Sequence, residues 1–110
     1  MTAGPFGVYV HIPFCRAKCD YCAFATWTDR DHLIGDYLDA LRDDISRAGL
    51  SPVTSVFVGG GTPTRVPAEE LAAVLTTIPL APGAEVTVEC NPDDVTVELM
   101  QTYASAGVNR

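Results

Sequence analysis

Basic residues and long apolar runs are both scarce in this 110-residue chain, and each shortage excludes a class of function. Seven Lys and Arg stand against 14 Asp and Glu, which gives a formal net charge of −7. A field of this sign repels polyanions and argues against nonspecific binding to nucleic acid or acidic lipid. No apolar run approaches the roughly 20 residues that a membrane-spanning helix needs. Small molecules and protein partners are therefore the favoured ligands.

The first residues, MTAGP, lack the basic segment of a signal peptide, so a cytoplasmic location is expected. With 47% hydrophobic residues the chain is predicted to form one globular domain at most. A chain of this length can bury roughly two thirds of its unfolded surface.

Cysteine is also infrequent, but three of the four cysteines stand in one short segment. Cys15, Cys19 and Cys22 form a Cys-x3-Cys-x2-Cys pattern. A cubane iron-sulfur cluster usually takes four cysteine ligands, so three leave one iron open to a ligand that is not protein. An open iron of this kind can bind a non-protein ligand and take part in its reaction.

Other interpretations of these cysteines compete with a cluster. Zinc would use the Cys19/Cys22 pair, and His11 could complete a Cys3His site. A disulfide framework is disfavoured because three close cysteines cannot pair evenly. The fourth cysteine, Cys90, follows an apolar strand and is expected to be a buried, unoxidised thiol.

Periodicity along the chain predicts strands that alternate with helices. Strands are predicted at residues 6–12, 55–58 and 85–90, with breaks at Pro79 and Pro82-Gly83. The first helix, from Ile34 to Ala48, should end at Gly49. The second should contain Pro67 in its first turn, and Thr96 should cap the third. The apolar stripes of the last two helices comprise Leu71, Val74, Leu75 and Ile78, then Leu99, Met100 and Tyr103.

This alternation indicates an α/β fold with parallel strands, three βα units and a fourth strand opening at residues 108–110. A complete (β/α)8 barrel needs roughly 250 residues. The chain is therefore predicted to be the N-terminal portion of a partial TIM-type barrel, an incomplete core domain over residues 1–110 without the remaining barrel or a C-terminal domain. The alternative is a small, self-contained doubly wound domain.

Three motifs lie where predicted strands end, and the carboxyl ends of parallel strands gather functional groups. The cysteine segment follows the first strand, Gly59-Gly60-Gly61-Thr62-Pro63 follows the second, and Glu89 closes the third. The glycines could admit a ligand close to the backbone or form a plain tight loop. Glu89 could bind an ammonium or a ribose, or be an exposed acid at a strand end.

Taken together, these motifs resemble those of the radical S-adenosylmethionine superfamily. Within it, the chain is similar to the branch of HemW and oxygen-independent coproporphyrinogen III oxidase. The resemblance covers essentially the whole chain. It is carried by residues 8–15 (VYVHIPFC), the Cys-x3-Cys-x-Tyr-Cys spacing, residues 59–63 (GGGTP), 89–92 (ECNP) and 107–110 (GVNR).

The resemblance implies a 4Fe-4S cluster on Cys15, Cys19 and Cys22. S-adenosylmethionine would chelate the fourth iron and be cleaved to methionine and a 5′-deoxyadenosyl radical. By the same resemblance Gly60, Gly61 and Thr62 line the methionine end of the cofactor, and Glu89 holds one of its polar groups. Tyr9 would lie on the cluster side and Tyr21 would help to bury the cofactor, although aromatic residues at such positions are more often packing.

One local feature separates the two members of the branch. The oxidase pattern has an extra cysteine two positions beyond the third cluster ligand, where this chain has Phe24. The resemblance therefore favours a HemW-like haem chaperone, with haem as a ligand, a flavodoxin or ferredoxin as electron donor, and a haem-acceptor protein. The alternatives are the oxidase acting on a porphyrinogen, and an inactive fragment or non-catalytic metal-binding domain.

Overall fold

The computed structural model describes residues 6–14 and 33–110, in which strands and helices alternate. Short 3-10 turns at Pro63–Arg65 and Pro92–Asp94 follow the second and third strands. The elements in chain order are β1 (Gly7–Ile12), α1 (Ile34–Ala48), β2 (Val53–Gly60), α2 (Ala68–Leu75), β3 (Leu80–Val88) and α3 (Val97–Ser105).

The three strands form a parallel sheet in the order β1-β2-β3. Right-handed crossovers that always step in the same direction put every helix on the same face of a sheet. Burial agrees, because Val10 and Val58 are buried, whereas Tyr9 and Phe57 on the other face are 57% and 42% exposed. This singly wound arrangement confirms the predicted TIM-type partial barrel. The doubly wound alternative needs helices on both faces, and the described residues place them on one.

Alternating valines of the strands and the apolar stripes of the helices build the core. Helix α1 is amphipathic: Leu38 is buried, whereas Asp39 and Arg42 are exposed and form an ion pair of 2.5 Å. The predicted stripe of α2 is buried throughout. The main core residues are Val10, Ile12, Val56, Val58, Val86 and Val88 from the strands and Leu38, Leu71, Val74, Leu75, Ile78 and Tyr103 from the helices and their ends.

Two predicted helix boundaries are confirmed by their capping geometry. Gly49 ends α1 in the left-handed conformation at φ 58° and ψ 46°, which glycine adopts without a Cβ penalty. The Thr96 hydroxyl accepts a hydrogen bond of 3.0 Å from the Leu99 amide and caps α3. Pro67 lies at the N-cap of α2 rather than in its first turn.

Strand β3 differs from the prediction at both ends. It begins at Leu80, because the Pro82-Gly83 break is absorbed as an irregularity within the strand. Val53 pairs with Leu80 and Ser55 already pairs with Glu85, so the extra residues bulge out. The strand ends at Val88, two residues earlier than predicted. Met100, which was expected to face inward from α3, is 52% exposed, so that prediction was wrong.

Residues 109 and 110 lie along the edge of β3 that faces away from β2. The Asn109 amide donates to the Val86 carbonyl at 2.9 Å, and the Val88 amide donates to the Arg110 carbonyl at 3.1 Å. These bonds place residues 109 and 110 beside β3, where a fourth strand was predicted, but the described residues form a sheet of three strands and none is assigned at 108–110. None of the helices in the described residues is long and apolar enough to cross a bilayer.

Candidate cofactor-binding site

The loop after β2 is tied to the segment that leads into the cysteines. The Gly61 amide donates to the Ile12 carbonyl at 2.7 Å, and the Thr62 amide donates to the Phe14 carbonyl at 2.7 Å. Phe14 is fully buried and immediately precedes Cys15 in sequence. The structure therefore brings the predicted glycine loop to the start of the cysteine segment.

The four residues predicted within the cysteine segment lie outside the described residues. They are Cys15, Cys19 and Cys22 as cluster ligands and Tyr21 as a cofactor contact. In the part of the chain that the structure describes, no group of three or more His, Cys, Asp or Glu side chains could hold a metal ion. The described residues therefore do not test the zinc alternative with His11, and the cluster assignment stays a prediction.

Gly60 is glycine because both its backbone and its surroundings require it. Its φ is 108°, a conformation that side-chain-bearing residues rarely adopt. A Cβ on Gly60 would also come within 2.6 Å of His11 Cε1, since the imidazole ring lies across this glycine. The loop therefore combines a sharp change of chain direction with close approach of a side chain from β1.

A cavity of about 160 Å³ opens between the loops that follow β2 and β3. Typical small-molecule pockets measure about 300–1,000 Å³, so this cavity can take only one end of a cofactor-sized ligand. The exposed Glu89 is the charged side chain of its lining. The lining residues are Gly61, Thr62, Pro63, Glu89, Cys90 and Asn91.

The chemistry of this cavity suits a ligand end that carries hydrogen-bond donors. A carboxylate such as Glu89 only accepts hydrogen bonds when ionised, and it attracts an ammonium group. Gly60 lies next to the lining residues Gly61 and Thr62 rather than in the lining itself. Three of the predicted S-adenosylmethionine contacts, Gly61, Thr62 and Glu89, thus share one cavity, and the residues present fit the amino group or ribose hydroxyls of that molecule.

A hydrogen-bond network behind the cavity joins the two loops. The Thr64 hydroxyl donates to Asp94 at 2.8 Å, and the Asn91 amide donates to the Thr64 hydroxyl at 3.4 Å. The Asn91 side chain accepts from the Asp93 amide at 3.0 Å and starts the 3-10 turn. The sequence analysis did not identify Thr64 or Asp94. The Asn91-Pro92-Asp93 turn signal was present in the sequence, but the contact spans 30 residues.

Tyr9 and His11 lie side by side on the face of the sheet that the helices leave open. The Tyr9 ring stacks on Phe57 with centroids 6.0 Å apart, and the Tyr9 hydroxyl and His11 Nδ1 are 3.2 Å apart. Tyr9 does not line the cavity, and its predicted place on the cluster side stays a prediction because the cysteine segment lies outside the described residues. His11, which the sequence analysis left without a role beyond the zinc alternative, is positioned at the carboxyl end of β1 by this pair.

Tyr37 anchors helix α1 to the same end of β1. Its hydroxyl donates to the His11 carbonyl, and its ring packs edge-on against Phe14 with centroids 5.6 Å apart. Burial raises the pKa of Tyr37 above its ordinary value, and the nearby Tyr9 adds to the effect. The neutral, hydrogen-bond-donating form is therefore the one that supports the site.

Cys90 is exposed, which corrects the expectation of a buried thiol. The physical reason is that β3 ends at Val88, so Cys90 lies in the loop and not in the core. Desolvation of the sulfur raises the pKa of Cys90, and the Asp94 carboxylate raises it further. A thiol that keeps its proton is a poor metal ligand or nucleophile.

The fold and the site together define a singly wound parallel α/β protein with a ligand cavity at the carboxyl ends of β2 and β3. The family model of the radical SAM superfamily matches residues 9–110. The chain belongs to this superfamily, as its motifs predicted.

Curated relatives and a solved structure refine the comparison. The chain is 39% identical to the heme chaperone HemW of Mycobacterium tuberculosis H37Rv, with 100% of this chain and 31% of the relative covered. It is 40% identical to oxygen-independent coproporphyrinogen III oxidase of Paracoccus denitrificans, covering 94% of this chain and 25% of that protein. Its structure matches coproporphyrinogen III oxidase (HemN) from Escherichia coli, described as a radical SAM enzyme, with a TM-score of 0.82. The sequence identity is 30%, and the match covers 96% of this chain and 26% of that protein. The chain thus spans less than a third of the length of each.

Proposed function

We propose that this chain binds a 4Fe-4S cluster through Cys15, Cys19 and Cys22 and holds S-adenosylmethionine in the cavity beside Glu89. The observation that supports this most is the pair of 2.7 Å backbone hydrogen bonds that join Gly61 and Thr62 to Ile12 and Phe14. They bring the cofactor cavity to the start of the cysteine segment. When bound, the cluster and S-adenosylmethionine supply one-electron radical chemistry that no amino acid side chain provides.

The chain's own residues have distinct tasks in this proposal. Glu89 accepts hydrogen bonds from the amino group or ribose of S-adenosylmethionine, and Gly61 and Thr62 let the ligand approach the backbone. The Thr64–Asp94 hydrogen bond of 2.8 Å fixes the separation of the two loops that form the cavity. Tyr37 keeps α1 against β1 through the His11 carbonyl. Tyr9 and Tyr21 remain proposed contacts on the cluster and cofactor sides.

Iron and sulfide analysis after anaerobic reconstitution tests the cluster. A cubane requires about four irons per chain, and fewer than about three would contradict the proposal. Cys19→Ala should lose the cluster, because it removes one of three thiolates. Cys90→Ser should keep its iron, since this thiol is not one of the proposed ligands. Equal iron loss in both variants would refute the three-ligand site.

Within the superfamily we propose a haem chaperone of the HemW type that acts in haem or porphyrin metabolism. Support comes from the similarity to curated HemW proteins and from Phe24, which stands where the oxidase pattern has cysteine. A flavodoxin or ferredoxin is the proposed electron donor and a haem-acceptor protein the proposed partner. Haem titration should show a stoichiometric complex without coproporphyrinogen turnover.

Oxygen-independent coproporphyrinogen III oxidase is the second candidate. The 40% identity to the Paracoccus denitrificans oxidase and the TM-score of 0.82 to the Escherichia coli enzyme favour it. Turnover of coproporphyrinogen without stable haem binding would select this function over the chaperone. Formation of 5′-deoxyadenosine by the reduced protein distinguishes both from a non-catalytic metal-binding domain.

A further inference from the structure

Gly59, unlike its neighbour Gly60, has a backbone conformation that does not require glycine. Among the described residues the glycines with positive φ are Gly49, Gly60, Gly83 and Gly107, and Gly59 is not one of them. Its conformation is open to any L-residue. The reason for glycine at this position must lie in the space around it.

Two side chains occupy the volume where a Cβ on Gly59 would stand. The Glu89 carboxylate reaches across from β3, so the Cβ would overlap its Oε1 and lie 3.3 Å from its Cδ. The Phe57 ring is also close, with its Cε1 2.7 Å from where the Cβ would stand. The Glu89 amide meanwhile donates to the Val58 carbonyl at 3.0 Å, which holds the backbone of Glu89 beside Gly59. The missing side chain of Gly59 is therefore what allows the carboxylate to lie over the end of β2.

We infer that Gly59 is a positioning residue that sets the place of the Glu89 carboxylate at the cofactor cavity. The inference rests on the proposed function, since it gives Glu89 its ligand. Both obstructing groups are side chains, the flexible Glu89 carboxylate and the edge of the Phe57 ring, so a methyl group at Gly59 turns the carboxylate away, shifts the ring and leaves the backbone in place. Gly59→Ala should therefore fold, yet hold S-adenosylmethionine weakly.

The test uses the full chain, reconstituted anaerobically, with the dissociation constant for S-adenosylmethionine measured by equilibrium dialysis. Loss of one charge-assisted hydrogen bond should weaken binding about tenfold in Gly59→Ala and in Glu89→Gln. The double variant should bind no more weakly than Glu89→Gln alone, because both changes remove the same interaction. Gly35→Ala is the matched control, since a Cβ there meets nothing within 4 Å, and its affinity should equal that of the wild type.

A second measurement follows the carboxylate itself. In a crystal structure of Gly59→Ala, Glu89 should have left its place over the end of β2 while the backbone of residues 58–62 is unchanged. An unmoved carboxylate, an unchanged affinity of Gly59→Ala, or fully additive losses in the double variant would overturn the inference. A wild-type protein that holds its cluster but binds no S-adenosylmethionine would overturn the proposed function and, with it, the ligand assigned to Glu89.

Discussion

The hydroxyl of Tyr103 is buried without a hydrogen-bond partner among the described residues, and removing it should stabilise the protein. Tyr103 is 2% exposed and lines a largely apolar cavity of about 390 Å³ beside Cys90. An unsatisfied buried hydroxyl costs about 1–3 kcal/mol in lost hydration. Phenylalanine keeps the ring and its packing, so Tyr103→Phe should raise the free energy of unfolding by about 1 kcal/mol.

Tyr37→Phe is the matched comparison, because it makes the same chemical change at a hydroxyl that has a partner. Tyr37 donates to the His11 carbonyl, so its loss should lower the free energy of unfolding by about 1 kcal/mol. Urea unfolding of both variants and the wild type measures the two changes, with an unchanged m-value as the sign that only stability has shifted. A Tyr103→Phe variant destabilised as much as Tyr37→Phe would refute the reasoning and show that the Tyr103 hydroxyl is hydrogen-bonded.

Three further predictions concern stability. Burial raises the pKa of Tyr103 to about 12, and Cys90 and Asp94 add to the shift. The stability that this raised pKa contributes is complete below the unfolded-state pKa of about 10 and is lost as the pH rises toward 12. Between these pH values the unfolding midpoint should therefore fall less in Tyr103→Phe than in the wild type. Gly60→Ala should cost about 1–3 kcal/mol because φ is 108°, and a midpoint equal to the wild type would contradict the conformation. Thr96→Ala should cost about 1 kcal/mol by removing the cap of α3, whereas Thr96→Ser should restore most of the loss in the same denaturation assay.

Most of the fold could be predicted because its signals are local. The stop of α1 at Gly49 and the cap of α3 at Thr96 each depend on residues within a few positions of one another, and the structure confirms both. The convergence of Gly61, Thr62 and Glu89 could also be predicted. It follows from one rule, that the carboxyl ends of adjacent parallel strands lie together.

The features that could not be predicted are contacts and side-chain exposures that the local sequence does not encode. Strand β3 extends back to Leu80 because Val53 pairs with Leu80, and the Pro82-Gly83 turn is accommodated as a bulge before the pairing resumes at Glu85. Met100 fits the apolar stripe of α3, yet the described residues leave it 52% exposed. The Thr64–Asp94 hydrogen bond could not be foreseen either, since it joins residues 30 positions apart in two loops whose shapes depend on each other.

The side chain of Asn109 gives the edge of β3 an unusual property. Its amide oxygen accepts from the Val86 amide at 2.9 Å, and its amide nitrogen donates to the Ala84 carbonyl at 2.9 Å. One side chain thus imitates the peptide group of a neighbouring strand and satisfies the backbone amide of Val86 and the backbone carbonyl of Ala84. Asn109 in this way ties the chain after α3 to β3, and its replacement by alanine would remove both hydrogen bonds and loosen that attachment.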